Sequence, residues 1–162
     1  MEPVGHLLSM STELALKAYL LERRMTEKEL GSRKIGHDLG EILRNCIERG
    51  LGLSEADVMH VLAMRTAHLE HYHRYGPRTL DGGAYTIVLP KEEEALYALA
   101  RIIDLIAQDP SDLRALHERP VDLDWPLTTI PAKLVTIERF KALAAEAEEY
   151  AKKIEKLGVP HF

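Results

Sequence analysis

Between residues 65 and 75 the chain carries Arg65, His68, His71, His73, Arg74 and Tyr75, a concentration of groups able to move a proton or hold an anion. Histidine titrates near neutrality and can serve as a general base. Arginine keeps its charge and presents a planar fork to two oxygens of one phosphate. Arg65 and His71, separated by five residues, together offer a base and a cation for charge that builds on a phosphate during displacement. At 100° per residue the two positions differ by about 120° around a straight helix, so their side chains diverge within one chain. A twofold dimer that apposes this helix would gather two copies of each into one cleft. His68 and His71 are also i,i+3 neighbours able to share a metal. No third ligand stands at suitable spacing and His73 points elsewhere, so neither a metal centre nor another cofactor is expected.

Two more polar pairs stand upstream. Glu13 and Lys17 form an i,i+4 pair in the favourable order on an otherwise apolar helix. They either hold a bundle in register or face a ligand cleft. His37 and Asp38 open a later helix, where a carboxylate complements the dipole and the imidazole can cap or bond a loop carbonyl. Gly82 and Gly83 read as a turn, and the sequence supplies no glycine-rich phosphate loop.

Apolar periodicity supplies the elements that position these groups. Residues 3–24 carry Val4, Leu7, Leu8, Leu14, Ala15, Ala18 and Leu21 at helical spacing. Met10, Leu16, Tyr19 and Leu20 widen the stripe almost around the cylinder, which predicts a central, buried helix. Thr26 and Glu29 make a capping-box pattern for a short turn that Gly31 stops. From His37 to Arg49 a single face of Leu39, Ile42, Leu43, Cys46 and Ile47 precedes Gly50. Ser54 with Asp57 announces a third main helix, with Val58, Val61, Leu62, Leu69 and Tyr72 inward, ended by Gly76 and Pro77. Residues 84–89 are the one strand-like run. Pro90 and the acidic Glu92, Glu93 and Glu94 start a helix over 91–108 with Leu96, Leu99, Ile102, Ile103 and Ile106 inside. Pro120, Pro126 and Pro131 make 118–135 a crossing loop anchored by Trp125. A last helix over 136–157 stripes Phe140, Leu143, Ala144, Ala147, Ala151 and Ile154, with Glu148–Lys152 and Glu149–Lys153 pairs outside; it closes the bundle or mates with a second copy. The fold class expected is all-α, a bundle of four to five main helices with at most one short strand.

Length and composition fit a single domain over 1–162, 46% hydrophobic and 29% charged, with enough apolar residues for its own core. Net charge is −5, so a nucleic acid would have to be met by a local patch. The lone cysteine, Cys46, cannot form an internal disulfide, and no membrane-span or signal-peptide pattern is present. A cytoplasmic location is expected.

The run Ser11-Thr12-Glu13-Leu14-Ala15-Leu16-Lys17-Ala18-Tyr19-Leu20-Leu21, followed by Gly36-His37-Asp38-Leu39 and later by Arg74-Tyr75-Gly76-Pro77, resembles the HEPN superfamily (higher eukaryotes and prokaryotes nucleotide-binding). Order and spacing agree over about residues 5–108; the third piece usually reads Arg-Tyr-Pro. The resemblance implies an up-and-down helical bundle, a homodimer, and RNA or a nucleotide as ligand. Many such proteins are metal-independent endoribonucleases of toxin–antitoxin or phage-defence systems, paired with a nucleotidyltransferase-like antitoxin. Their signature is an arginine followed after four to six residues by a histidine, which Arg65 and His71 supply as catalytic candidates. His68, His73, Arg74 and Tyr75 would then line the substrate cleft, with Glu13, Lys17, His37 and Asp38 behind them. His71 would take the 2′-hydroxyl proton, and the products would be a 2′,3′-cyclic phosphate and a 5′-hydroxyl. The alternative is a non-catalytic module that binds a nucleotide, RNA or protein and uses its helices for assembly. A third possibility, a scaffold whose likeness is accidental, would be favoured if the Glu13 helix did not pack beside the His37 helix.

Overall fold

A computed structural model describes residues 3–69, 91–106 and 133–157. The described chain is an all-α bundle of six helices: α1 (Pro3–Glu22), α2 (Glu27–Leu30), α3 (Leu39–Glu48), α4 (Glu55–Leu69), α5 (Glu92–Ile106) and α6 (Ile137–Leu157). The strand-like run 84–89, Trp125 and most of the proline-rich loop lie outside the described residues, as do His71, His73, Arg74 and Tyr75.

Local chemistry sets most helix ends. Thr26 and Glu29 form the reciprocal capping box of α2, satisfying two backbone N–H groups that the first turn leaves orphaned. Asp38 caps α3, its carboxylate accepting from the N–H groups of Gly40 and Glu41; a cap of this kind is worth about 1 kcal/mol. At the other end of α3, Gly50 has φ +92°. There Gly50 N–H donates to the Ile47 carbonyl and Leu51 N–H to the Cys46 carbonyl, the paired closure that favours glycine at the left-handed position. α1 ends with the same bonds, Arg24 N–H to the Leu21 carbonyl and Met25 N–H to the Leu20 carbonyl. The left-handed residue there is Arg24, at φ 67°. Ser54 starts α4: its hydroxyl accepts from Asp57 N–H and donates to the Asp57 carboxylate.

α4 is the hub, packed against α1, α3, α5 and α6; α1 also meets α3 and α5, and α3 meets α6. Leu39, Ile42, Leu43 and Cys46 of α3 are fully buried beside Leu16 and Leu20 of α1, Val58 and Val61 of α4, and Ile102 of α5. Each such side chain contributes about 1.5–3 kcal/mol by leaving water. Polar bonds fix register inside this core. Tyr19 Oη donates to the Arg49 carbonyl at 2.9 Å, and the Cys46 thiol reaches the Leu16 carbonyl. Burial raises the Cys46 thiol pKa despite an opposing pull from Arg49, so it behaves as a small hydrophobe.

The last helix closes the bundle. Phe140 and Leu143 are buried, Val135 N–H donates to the Leu53 carbonyl, and Arg139 forks onto Glu55 at the start of α4. Glu149 pairs with Lys153 as spaced, whereas Glu148 turns to Arg65 of α4.

The expectation that α1 is buried on nearly all sides is corrected. Val4, Leu7, Leu14 and Leu21 are exposed. The face turned inward holds Leu8, Ser9, Thr12, Glu13, Leu16, Tyr19 and Leu20. An apolar helix with few polar residues carries no sign of which side its neighbours will cover, and here they cover the side that contains the carboxylate. Leu69 and Leu96, also expected inside, are exposed at the rims of α4 and α5.

Candidate functional site

Glu13 is the centre of the polar interior. α1 turns it into the bundle beside Ser9, one turn earlier, and the residue is 3% exposed. Lys17 Nζ donates to Oε1 at 2.6 Å. His37 Nδ1 lies 3.0 Å from Oε1 and 3.1 Å from Oε2, and His68 Nε2 is 2.5 Å from Oε2. Burial is the largest influence on the Glu13 pKa and acts to raise it. The hydrogen bonds from His68, Lys17 and His37 together outweigh burial and bring the value down to about 2. Glu13 is therefore an ionised acceptor at neutral pH, and its three neighbours donate to it. For His37 this places a hydrogen on Nδ1. Its side chain is 63% exposed, so the cluster reaches solvent through this ring. His68 is buried, and its other nitrogen, Nδ1, lies 3.1 Å from Ser9 Oγ.

A second network adjoins the first through the chain step from His37 to Asp38. Arg65 of α4 forks onto the Asp38 carboxylate, Nε to Oδ1 at 2.6 Å and Nη2 to Oδ2 at 2.8 Å, and Nη1 reaches Glu148 of α6 at 3.2 Å. Burial raises the Asp38 pKa, but the bond and charge of Arg65 with the Gly40 and Glu41 N–H groups leave it lowered overall. Gly40 permits this approach: a Cβ there would come within 2.9 Å of Arg65 Nε. One cap carboxylate thus starts α3, anchors α4 and, through Arg65, touches α6.

Glu13, Lys17, His37, Asp38, Arg65 and His68, drawn from α1, the 31–38 loop and α4, meet in one region of the bundle. The expectation of an Arg65–His71 centre with Glu13, Lys17, His37 and Asp38 behind it rests on His71, which lies outside the described residues. Glu13 and His37 are themselves the core of the cluster, and the Arg65 guanidinium faces two carboxylates. His68, expected to line a substrate cleft, is enclosed with both ring nitrogens partnered. No third ligand for a His68–His71 pair is evident from sequence spacing, and His71 lies outside the described residues. Ligand atoms of Glu13, His37 and His68 lie within 4.8 Å of one another, a set that sequence spacing hides because its members come from three elements.

Sequence reasoning missed Ser9, Asp57 and Arg101. Ser9 stands one turn before Glu13, on the same face, and that spacing was a usable signal. Asp57 was read as a helix-start residue. It is 1% exposed and receives Arg101 of α5 through Nε at 2.8 Å and Nη2, a long-range pair with no local sequence sign.

No family model, curated protein or solved structure matches the chain. Among the described residues, no helix is long and apolar enough to cross a membrane.

The arrangement can hold an imidazole in one tautomer at the surface. With Nδ1–H committed to Glu13, the neutral His37 ring keeps Nε2 as an acceptor, the carboxylate–histidine geometry used for general bases. Exposed Arg33 and Lys34 share its loop and supply positive charge for an anionic ligand.

The carboxylate also sets a pH dependence for folding. Its folded pKa is below the value of 4.5 for a free side chain. The stability it contributes is therefore present above about 4.5 and is lost as pH falls from there toward 2. Urea denaturation of chelator-treated protein should show the midpoint dropping through that window. Glu13→Gln should be less stable at neutral pH and should lack this part of the acid dependence. Parallel curves for the two proteins would contradict the assignment.

Proposed function

We propose that the chain is a HEPN-like, RNA-associated cytoplasmic protein that acts as a homodimeric, metal-independent endoribonuclease in a toxin–antitoxin or phage-defence setting. The observation that supports this reading is the meeting of Glu13 and Lys17 from the first motif, His37 and Asp38 from the second, and Arg65 and His68 from α4 around one solvent-facing imidazole. The condition set against an accidental likeness, separation of the Glu13 helix from the His37 helix, is not met: α1 packs on α3.

In this reading His37 Nε2 takes the 2′-hydroxyl proton as the oxygen attacks the adjacent phosphorus, and the 5′-oxygen leaves with a proton from water, giving a 2′,3′-cyclic phosphate and a 5′-hydroxyl. Glu13 holds the ring through Nδ1 and His68 holds Glu13. Arg65 fixes Asp38, next in the chain to His37, and so acts through position. Arg33 and Lys34 draw in the phosphates. His71, the base that the family signature implies, is tested beside His37, and the partner is a nucleotidyltransferase-like antitoxin.

A second reading, the non-catalytic assembly module, is favoured by the exposed face of α1. Val4, Leu7, Ser11, Leu14, Ala18 and Leu21 are all exposed and follow one another at alternating steps of three and four, the spacing of a seam between paired helices. The same face suits the homodimer of the first reading. One experiment separates the two. Structured RNA is incubated with wild type, His37→Ala, Arg65→Ala and His71→Ala, and the ends are analysed for cyclic phosphate. His37→Ala, a change at an exposed position, should reduce cleavage by about 100-fold or more, the usual scale for a positioned base. Cleavage unchanged in His37→Ala removes the base assigned here. No cleavage by wild type leaves the assembly module as the reading that stands.

A further inference from the structure

We propose that Glu13, His37 and His68 form a zinc-type metal site with a solvent-facing open position. The donor set is one carboxylate and two imidazoles, the three-ligand combination that holds zinc while leaving a fourth place for water. All three ligand atoms lie within 4.8 Å of one another. Two of the residues are held within the bundle: Glu13 and His68 are buried and on different helices. The third, His37, is exposed and sits on a loop, so it supplies the opening. His68 also has the outer partner expected of a metal-bound imidazole. Its Nδ1 meets Ser9 Oγ at 3.1 Å, which aims Nε2 at the Glu13 carboxylate. On that carboxylate, Lys17 occupies Oε1, leaving Oε2 as the oxygen shared by the two imidazoles.

The adjustment needed is about 1 Å at each imidazole, since their nitrogens, within 4.8 Å of one another, must close to tetrahedral spacing. Ligands at ~2.0–2.1 Å from a tetrahedral ion stand about 3.3 Å apart. His37 Nδ1 is already 3.1 Å from Glu13 Oε2, and His68 Nε2, at 2.5 Å, has to retreat by less than about 1 Å. Binding expels the hydrogens that the two imidazoles now share with Glu13. Nitrogen donors select Zn²⁺ over Mg²⁺ and Ca²⁺, which prefer all-oxygen sets. The site stands on these three side chains alone and not on the ribonuclease reading. It extends that reading in one respect: a metal on His37 Nδ1 replaces the Glu13 hydrogen bond, so metal occupancy and the carboxylate–histidine dyad exclude each other.

Zn²⁺ binding is measured on full-length, chelator-treated protein by competition with a chromophoric chelator, without RNA. The expected result is one ion per chain, with no competition from millimolar Mg²⁺. His37→Ala, on the surface, should weaken binding by more than about 100-fold. Ser9→Ala, which keeps all three ligands, should weaken it by about 10–100-fold. Circular dichroism establishes that each variant is folded. Absent binding, or binding that His37→Ala leaves unchanged, overturns the proposal. Absence of RNA cleavage by chelator-treated wild type, with zinc binding intact, would count against the ribonuclease reading only.

Discussion

Replacing Glu13 with alanine is expected to lower folding stability by about 3–5 kcal/mol, the range for breaking a buried charged cluster by removing one partner. The cost arises from what remains. Lys17, partly exposed, can turn to water. His68 cannot: its side chain is 5% exposed, and its Nε2 would face a cavity with no acceptor. Urea denaturation at pH 7 measures the loss, and a fall below about 1 kcal/mol would contradict the central place given to this carboxylate. The double variant Glu13→Leu/His68→Leu should recover much of the stability, because an apolar pair of similar volume needs no partners. It should recover neither cleavage nor metal binding. Recovery of the fold without activity would separate what the cluster does for stability from what it does for chemistry.

Arg101→Ala should be nearly as damaging, at about 3 kcal/mol, although it lies in a different network. Asp57 is buried to 1% exposure and, among the described residues, keeps the Ser54 hydroxyl, 2.7 Å from Oδ2, once the guanidinium is gone. A carboxylate left in that position has lost most of its compensation for leaving water. Calorimetry is the check: for a chain of this size a loss of that order lowers the melting temperature by roughly 6–12 °C. Asp57→Asn/Arg101→Met should restore part of it. Because the described bonds of Arg101 go to Asp57 and not to the Glu13 cluster, zinc binding by folded Arg101→Ala protein should equal wild type. A large loss of binding would mean that the two networks are coupled.

How far the sequence could be read depended on whether the deciding partner was local. α3 was legible throughout: Leu39, Ile42, Leu43, Cys46 and Ile47 share one face, a carboxylate precedes them, and Gly50 follows in the conformation that glycine favours. α1 was legible as a helix but not in its orientation, because its apolar residues surround it. Only packing by α3, α4 and α5 decides that Leu16 and Leu20 face in while Leu7 and Leu14 face out. Its end was equally opaque, since the left-handed turn falls on Arg24, a residue type with no preference for it.

The site shows the same division. Glu13 with Lys17, and His37 with Asp38, were visible as polar pairs from their spacing. Their convergence was not, because His37 and Glu13 are 24 residues apart and His68 and Glu13 are 55 apart. One signal was available for His68. It continues the stripe of Val61 and Met64, both buried, and so belonged to the inward face of α4 rather than to a solvated helix end. Arg65 stands one position off that stripe, which is why its guanidinium emerges beside Asp38.

The salt link from Glu148 to Arg65 bears on how the polypeptide can be trimmed. A fragment cut near residue 108 would lack the side chains of α6 that cover the flank of α4 and the anion that shares the Arg65 guanidinium. A shortened version would uncover the flank of α4 on which α6 packs and release the Glu148 restraint on Arg65. The smallest autonomous unit that keeps the imidazole cluster in register must therefore run on through the final helix, and any tag or fusion partner belongs beyond it.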